Sequence, residues 1–294
     1  MTKTGFIAIV GRPNVGKSTL LNALLGEKIS IVSSKPQTTR NRITGILTVD
    51  ENQFVFLDTP GMLKPKNKLG DFMVKTISSA IGEVDAAILV VDAAKPVSEV
   101  EERLLERFKK QNDPVILAIN KTDTVNATKV AECIMAYSAL CDFAAVIPMA
   151  AVKNEGVSIV IDEASKLLHE GDWFFPEDML TDQPERMLVS EIIREKLLRT
   201  LNDEIPHGTA VVIEAFEEKP TIIKIRAEIF CEKDSHKGII IGKHGAALKK
   251  VGTWAREDME AFFGVQVHLD LWVKVKENWR DNAGLLNTFG FTEE

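Results

Sequence analysis

The sequence predicts an α/β domain with a mostly parallel β-sheet, followed by a smaller α+β domain. Three observations carry this. Up to about residue 170, short β-rich runs alternate with helical spacing. Near Gly171 the alternation breaks into DWFFPEDMLTDQPER, a stretch punctuated by Pro and Asp that reads as a linker. Beyond it the elements follow the order αββααβ. The 294 residues, 45% hydrophobic and 27% charged, suit two domains at roughly 150 residues each and exclude a disordered chain.

The first-half strands are FIAIV (Phe6 to Val10), FVFLD (Phe54 to Asp58), AAILVVD (Ala86 to Asp92), PVILAIN (Pro114 to Asn120) and AAVIPM (Ala144 to Met149). With helices between them they form right-handed βαβ units whose sheet is covered on both faces. In the second half, Leu188 to Leu201 places its apolar residues on one helical face. Strands Thr209 to Phe216 and Thr221 to Cys231 follow, then a helical piece ending at Ile241, a helix reaching about Phe263 and a last strand Val265 to Val275. The expected boundaries are 1–170, a linker 171–186, a second domain 187–280 and a tail 281–294. No run approaches the ~18 apolar residues of a membrane span, and no secretory leader is evident, so a cytoplasmic protein is expected. Cys133, Cys141 and Cys231 are odd in number and lack a CxxC pair, which argues against a disulfide framework or a zinc site.

Gly11-Arg12-Pro13-Asn14-Val15-Gly16-Lys17-Ser18 fits G-x-x-x-x-G-K-[ST] between a strand and a helix, where backbone N–H groups and a helix N-terminus cradle phosphates. Lys17 would reach the β- and γ-phosphates, and Ser18, followed by Thr19, would bind Mg²⁺. Asp58-Thr59-Pro60-Gly61 ends the strand FVFLD, so Asp58 would hold Mg²⁺ through water and the Gly61 N–H would sense the γ-phosphate. In Asn120-Lys121-Thr122-Asp123 the carboxylate would accept two hydrogen bonds from guanine, a donor pair that adenine cannot present. Ala150 and Ala151 stand where a backbone N–H would meet guanine O6. In KPQTTRNRITGI, Thr38 or Thr39 would complete the Mg²⁺ shell.

GRPNVGKS, KPQTTRNRITGI and DTPGM, continued by FPEDMLTDQPER and SEIIREKLL, are similar to the bacterial Era GTPases, and the resemblance spans essentially the whole chain. It implies a P-loop GTPase domain followed by a type II KH domain. The implied activity is hydrolysis of GTP to GDP and phosphate. The implied partners are 16S ribosomal RNA near its 3′ end and the 30S subunit during assembly, with the protein a monomer. Two positions depart from common GTPase patterns. Met62 follows Gly61 where a Gln would orient water, and a thioether can neither position nor deprotonate it. The resemblance offers K⁺ as the missing positive charge, with Asn14 helping to hold it. Ala150 replaces the usual Ser, which puts the rigidity of its loop in doubt.

Gly242-Lys243-His244-Gly245 lies between two helical segments, the position of the backbone clamp in KH domains. Lys237, Ile241, Lys249 and Lys250 complete the expected RNA site, and Ser235 to Val251 contains four Lys and no acid. The net charge of −7 would ordinarily count against a polyanionic partner. The first half is nearly balanced, with 20 Lys and Arg against 21 Asp and Glu through Pro176, so the excess acid shares the second half with the basic loop. A small basic footprint in an acidic domain predicts modest nonspecific affinity and heavier use of base contacts. Trp254 and Trp272 are expected in the core, whereas the stretch VKVKENWRDN, in which Lys274, Lys276 and Arg280 flank Trp279, is the candidate for further RNA contacts. Arg194 and Lys196 are candidates for coupling the domains. Peripheral association with the inner face of the membrane stays open, with no lipidation motif or basic amphipathic helix to carry it.

Overall fold

The computed structural model describes residues 1–62, 65–82, 84–202 and 204–291; the last residues of the expected tail, 292–294, lie outside the described residues. The chain divides into two compact units, Met1–Lys64 with Met73–Asp182, and Pro65–Phe72 with Gln183–Glu294.

In the first unit β1 (Lys3–Val10), β2 (Ile43–Val49), β3 (Asn52–Asp58), β4 (Ala86–Asp92), β5 (Val115–Asn120) and β6 (Ala145–Pro148) lie in the order β2-β3-β1-β4-β5-β6. A two-residue strand β7 (His169–Glu170) pairs antiparallel with β1. The neighbours from β3 to β6 are parallel, and β2 pairs antiparallel with β3. The sequence pattern hid β2, because ITGILTV follows a polar loop and carries a glycine. The helices are α1 (Lys17–Leu25), α2 (Lys68–Gly82, whose residues from Met73 count with this unit), α3 (Glu99–Gln111), α4 (Ala127–Ser138) and α5 (Val157–Ser165). Side-chain alternation sorts β1 between two cores. Ile7 and Ile9 join Leu20, Leu24 and Val160 on one face, while Ala8 and Val10 join Leu104, Phe108 and Tyr137 on the other. Parallel strands end together, so the loops after β1, β3, β4, β5 and β6 gather along one edge of the sheet, where ligands of such sheets bind.

The segment expected as a linker has defined partners up to Asp182. Gln53 clamps Phe175, its Nε2 donating to the Phe175 carbonyl (2.8 Å) and its Oε1 accepting from the Phe175 N–H (3.0 Å). Further on, the Ile46 N–H donates to the Leu180 carbonyl (2.8 Å) and the Thr181 hydroxyl to the Thr44 carbonyl (2.7 Å). Phe174 packs its ring 4.9 Å from that of Phe6. Residues 173–181 thus form a strap that passes β1 and β3 and ends against β2.

The second unit has the order α6 (Glu185–Thr200), β8 (Ala210–Lys219), β9 (Ile222–Cys231), α7 (Asp234–Ile241), α8 (Ala246–Phe263) and β10 (Gln266–Val275), the predicted αββααβ. The sheet runs β10-β9-β8, with β9 antiparallel to β8 and parallel to β10. Its inner face packs Val211, Ile225, Ile229 and Val273 against Ile193, Leu197, Ile240, Val251 and Ala255 of the helices. The opposite face, at Ala210 and Phe230, is covered by Trp279, Leu286 and Phe291 together with Leu69. The end of the chain, including α9 (Ala283–Thr288), therefore builds a second small core.

Three aromatic expectations are corrected. Trp279 is 0% exposed, and its Nε1 donates to the Gly208 carbonyl at 3.0 Å, so it serves the core and offers nothing to RNA. Arg280 and Lys274 beside it are ion-paired with Glu232 and Glu228. Trp272, expected in the core, is 62% exposed, because β10 turns Val267 and Val273 inward and alternation sends Trp272 the other way. Trp254 is 37% exposed and lies under the Lys250 ammonium, 4.3 Å from the ring centroid.

Candidate functional site

The glycine-rich loop turns from β1 into α1. Gly16 sits at φ 106°, and a Cβ there would come within 2.2 Å of the Asn120 Nδ2, so no other residue fits. Val15 is buried in the core and anchors the loop from below. Lys17 is 6% exposed, and its Nζ donates to the Gly11 and Arg12 carbonyls at 3.2 and 3.1 Å. Burial lowers its pKa to about 8 against the attraction of Asp58. A cleft opens here, lined among others by Pro13, Asn14, Lys17, Ser18, Thr39 and Gly61.

Ser18, Thr39 and Asp58 converge beside Lys17. The Ser18 hydroxyl donates to Asp58 Oδ2 at 2.7 Å and lies 2.8 Å from the Thr39 hydroxyl, while Ser30 donates to the same Oδ2 at 3.1 Å. Asp58 Oδ1 is buried with no hydrogen-bond partner, and burial raises the carboxyl pKa. An orphaned carboxylate oxygen beside two hydroxyls is a set of hard oxygen donors suited to a small divalent cation, so these residues fit Mg²⁺. Thr38 instead donates to the Lys35 carbonyl at 2.7 Å. Thr59 is tied to the Ile9 carbonyl, Pro60 is buried, and the Met62 N–H donates to the Gly11 carbonyl at 3.2 Å. The Met62 side chain packs against the core cluster that contains Val10 and Leu104. It points no polar atom at the cleft.

Asn120 joins two loops, donating to the Val15 carbonyl (2.8 Å) and accepting from the Ala151 N–H (3.0 Å). Ala150 exchanges backbone hydrogen bonds with Glu155 in both directions, which supplies the rigidity that its missing hydroxyl had put in doubt. Lys121, at φ 64°, donates to the Asn14 carbonyl (2.7 Å) and to Asp92 Oδ2 (2.8 Å). The Asp123 carboxylate is largely sheltered, with Lys153 Nζ at 3.6 Å. Thr19 follows Ser18 in the first turn of α1, half-buried.

Sequence patterns missed two carboxylates here. Asp92 ends β4 and holds Lys121; the only sequence signal is an acid closing an apolar strand. Glu101, in the first turn of α3, is 0% exposed and takes Arg12 Nε at 2.9 Å. The Arg12 side chain therefore turns away from the cleft, leaving its backbone to the site. Asn14, at φ 62°, donates to the Ser34 carbonyl at 2.6 Å.

In the second unit Gly242, Lys243, His244 and Gly245 turn α7 into α8. Gly242 lies at φ 73° and ψ 174°, where a Cβ would meet that of Ala247 at 2.7 Å, and His244 takes a left-handed conformation at φ 52°. Lys243, His244, Lys249 and Lys250 are exposed, Lys237 is half-buried, and Ile241 packs partly against the core. A groove runs from Gly245 along Leu248, Lys249, Gly252 and Arg256 of α8 to Leu271 of β10. Arg194 is held by Glu191, and Lys196 by Glu195 and Asp258, all within this unit. Among the described residues no helix is long and apolar enough to cross a membrane.

Comparison with known proteins extends over both units. A family model described as 50S ribosome-binding GTPase matches residues 6–121, and one for the KH domain matches residues 204–280. The chain is 50% identical over 292 residues to GTPase Era of Clostridium kluyveri, covering 99% of this chain and 100% of that protein. With GTPase Era of Clostridioides difficile it shares 48% over 297 residues, covering all of both. A crystal structure of Era with MgGDPNP and nucleotides 1506–1542 of 16S ribosomal RNA superposes with a TM-score of 0.95 at 39% identity, covering 100% of both chains. An Aquifex aeolicus Era variant bound to GDP and aluminium tetrafluoride gives the same score and identity, covering 99% of this chain and 100% of that one.

Proposed function

The chain belongs to the Era family of GTPases, and on that premise we propose that it is a GTP-controlled switch that binds 16S ribosomal RNA near its 3′ end and acts in assembly of the 30S subunit. The observation that carries the reading is the pairing, in one chain, of the Lys17, Ser18 and Asp58 cluster with a KH unit whose GxxG turn presents Lys243 and His244.

Backbone N–H groups of residues 14–18 wrap the phosphates, and Lys17 leaves the Gly11 and Arg12 carbonyls for the β- and γ-phosphates. That transfer exchanges two neutral carbonyl partners for the phosphate oxygens. Ser18 and Thr39, with Asp58 acting through water, hold Mg²⁺, which when bound neutralises charge on the phosphates. Asp123 selects guanine, Asn120 fixes the loops on either side, and the Ala150 to Ala151 backbone meets the base. The Gly61 N–H senses the γ-phosphate. Met62 offers no base, so unassisted hydrolysis is slow, and Asn14 is the residue assigned to holding K⁺. GTP orders the loops around Thr39 and Gly61, and hydrolysis releases them.

Lys243→Asp with His244→Asp tests the RNA assignment, because both side chains are exposed and the change should leave the fold intact. Affinity for a single-stranded RNA with the sequence of the 16S 3′ end should fall by about tenfold or more through charge reversal at the phosphates. Unaltered affinity would sink the assignment. Competition by GTP but not ATP, abolished by Asp123→Ala, tests the base site.

A further inference from the structure

Besides the Lys17 bond to the Arg12 carbonyl, the outer limb of the phosphate loop, residues 12–14, is tied down at three points. Two of the ties come from groups that themselves belong to the nucleotide site: Lys121 holds the Asn14 carbonyl, and Asn14 holds Ser34 in the loop that carries Thr39. The third does not. Arg12 reaches out of the cleft, its Nε donating to Glu101 Oε1 at 2.9 Å and its Nη2 to the Pro96 carbonyl at 3.1 Å. Glu101 has no freedom of its own. It is wholly buried, and its second oxygen accepts from the Ser98 N–H (3.0 Å) and the Ser98 hydroxyl (2.8 Å) in the capping box that opens α3. A charge-assisted bond from a buried, doubly anchored carboxylate is a stiff restraint. It acts on the same residue whose carbonyl parks Lys17.

We propose that Glu101 is a positioning residue for nucleotide binding: through Arg12 it holds the limb 12–14 in place, so that a guanine nucleotide meets a preformed cradle. The proposal rests on the reading of this cleft as the phosphate site. A preformed cradle lowers the ordering cost of binding GDP and GTP alike, so its loss weakens both nucleotides equally and leaves the chemical step alone. A purely structural capping role for Glu101 would instead appear in stability and spare affinity.

The test measures dissociation constants for GDP and GTP, kcat, KM and the melting temperature on the full chain. Glu101→Gln keeps an acceptor for Ser98 and removes the charge that holds Arg12. It should raise both dissociation constants by about tenfold, with KM following and kcat within about twofold of the parent. Arg12→Gln should weaken binding to the same degree, and Arg12→Gln with Glu101→Gln should be no worse than either alone. Arg12→Lys, with one cationic head for two acceptors, should recover part of the loss. Ser98→Ala, which weakens the cap but leaves the Arg12 bond, should lower the melting temperature without changing the dissociation constants. Unchanged affinity in Glu101→Gln, additive losses in the double variant, or an affinity loss in Ser98→Ala equal to that of Glu101→Gln would each overturn the proposal. Lys17→Ala separates the two layers: if it leaves nucleotide affinity intact, the phosphate-site reading itself fails.

Discussion

Trp279 offers a direct contest between a packing role and an RNA role. Its indole is fully buried, donates to the Gly208 carbonyl, and packs against Phe289 and Phe291 at centroid distances of 5.5 and 6.0 Å. Truncation to Ala removes the ring and opens a cavity, a change that costs about 3–5 kcal/mol in other cores. The sharper perturbation is Trp279→Phe, which keeps an aromatic ring and deletes the N–H. The Gly208 carbonyl is then buried without its donor, at about 1–3 kcal/mol, and the smaller ring adds a modest packing loss. Urea unfolding of the full chain should show the second unit losing about 2 kcal/mol or more, while the folded protein binds 16S 3′-end RNA within about twofold of the parent. A Trp279→Phe protein of parental stability that bound RNA tenfold more weakly would refute the packing assignment.

Other substitutions follow from the same geometry. Trp272→Ala, on an exposed side of β10, should change stability by no more than about 0.5 kcal/mol, as measured in the same urea titration. Asp92→Asn bears on pH. Burial alone would raise the Asp92 pKa, but the hydrogen bonds from Lys121 and the Ala94 N–H hold it below 3.8. Its stabilising contribution is therefore complete above 3.8 and disappears as pH falls through the lower folded-state value. Asn should flatten that acid limb of the stability profile and, by releasing Lys121, weaken GTP binding by about tenfold in a titration at neutral pH. In the KH turn, Gly242→Ala should reduce RNA affinity more than Gly245→Ala does. The first methyl meets Ala247 in a conformation closed to L-residues, while the second projects into open space and bears only a left-handed penalty of about 1–2 kcal/mol.

What could be read from the sequence divides by the distance over which its cause acts. The phosphate loop, Asp58 to Gly61 and Asn120 to Asp123 are contiguous, and each depends on backbone geometry at the end of a strand, so their pattern travels with them. The GxxG turn needed only the order of its flanking elements. Arg12 and Glu101 are 89 residues apart, and Lys121 and Asp92 are 29 apart; they meet only because the sheet places β4 between β1 and β5. No local pattern announces such pairs. The tryptophans failed for a different reason. Alternation along β10 contained the outward orientation of Trp272, but past Val275 no periodicity remained to show that the chain folds back over Phe230 and takes Trp279 into a core.

The strap of residues 173–181 has a consequence for self-association. β2 is the last strand on its side of the sheet, and its outward N–H and C=O groups at Ile46 and Thr44 are taken by Leu180 and Thr181. A chain cut at residue 170 would expose that strand as a template on which another copy could lay its own β2, the route by which sheets grow into aggregates. Removal of a segment that looks dispensable should thus turn a well-behaved GTPase fragment into one whose solubility falls with concentration, and extending the cut to Asp182 should restore it.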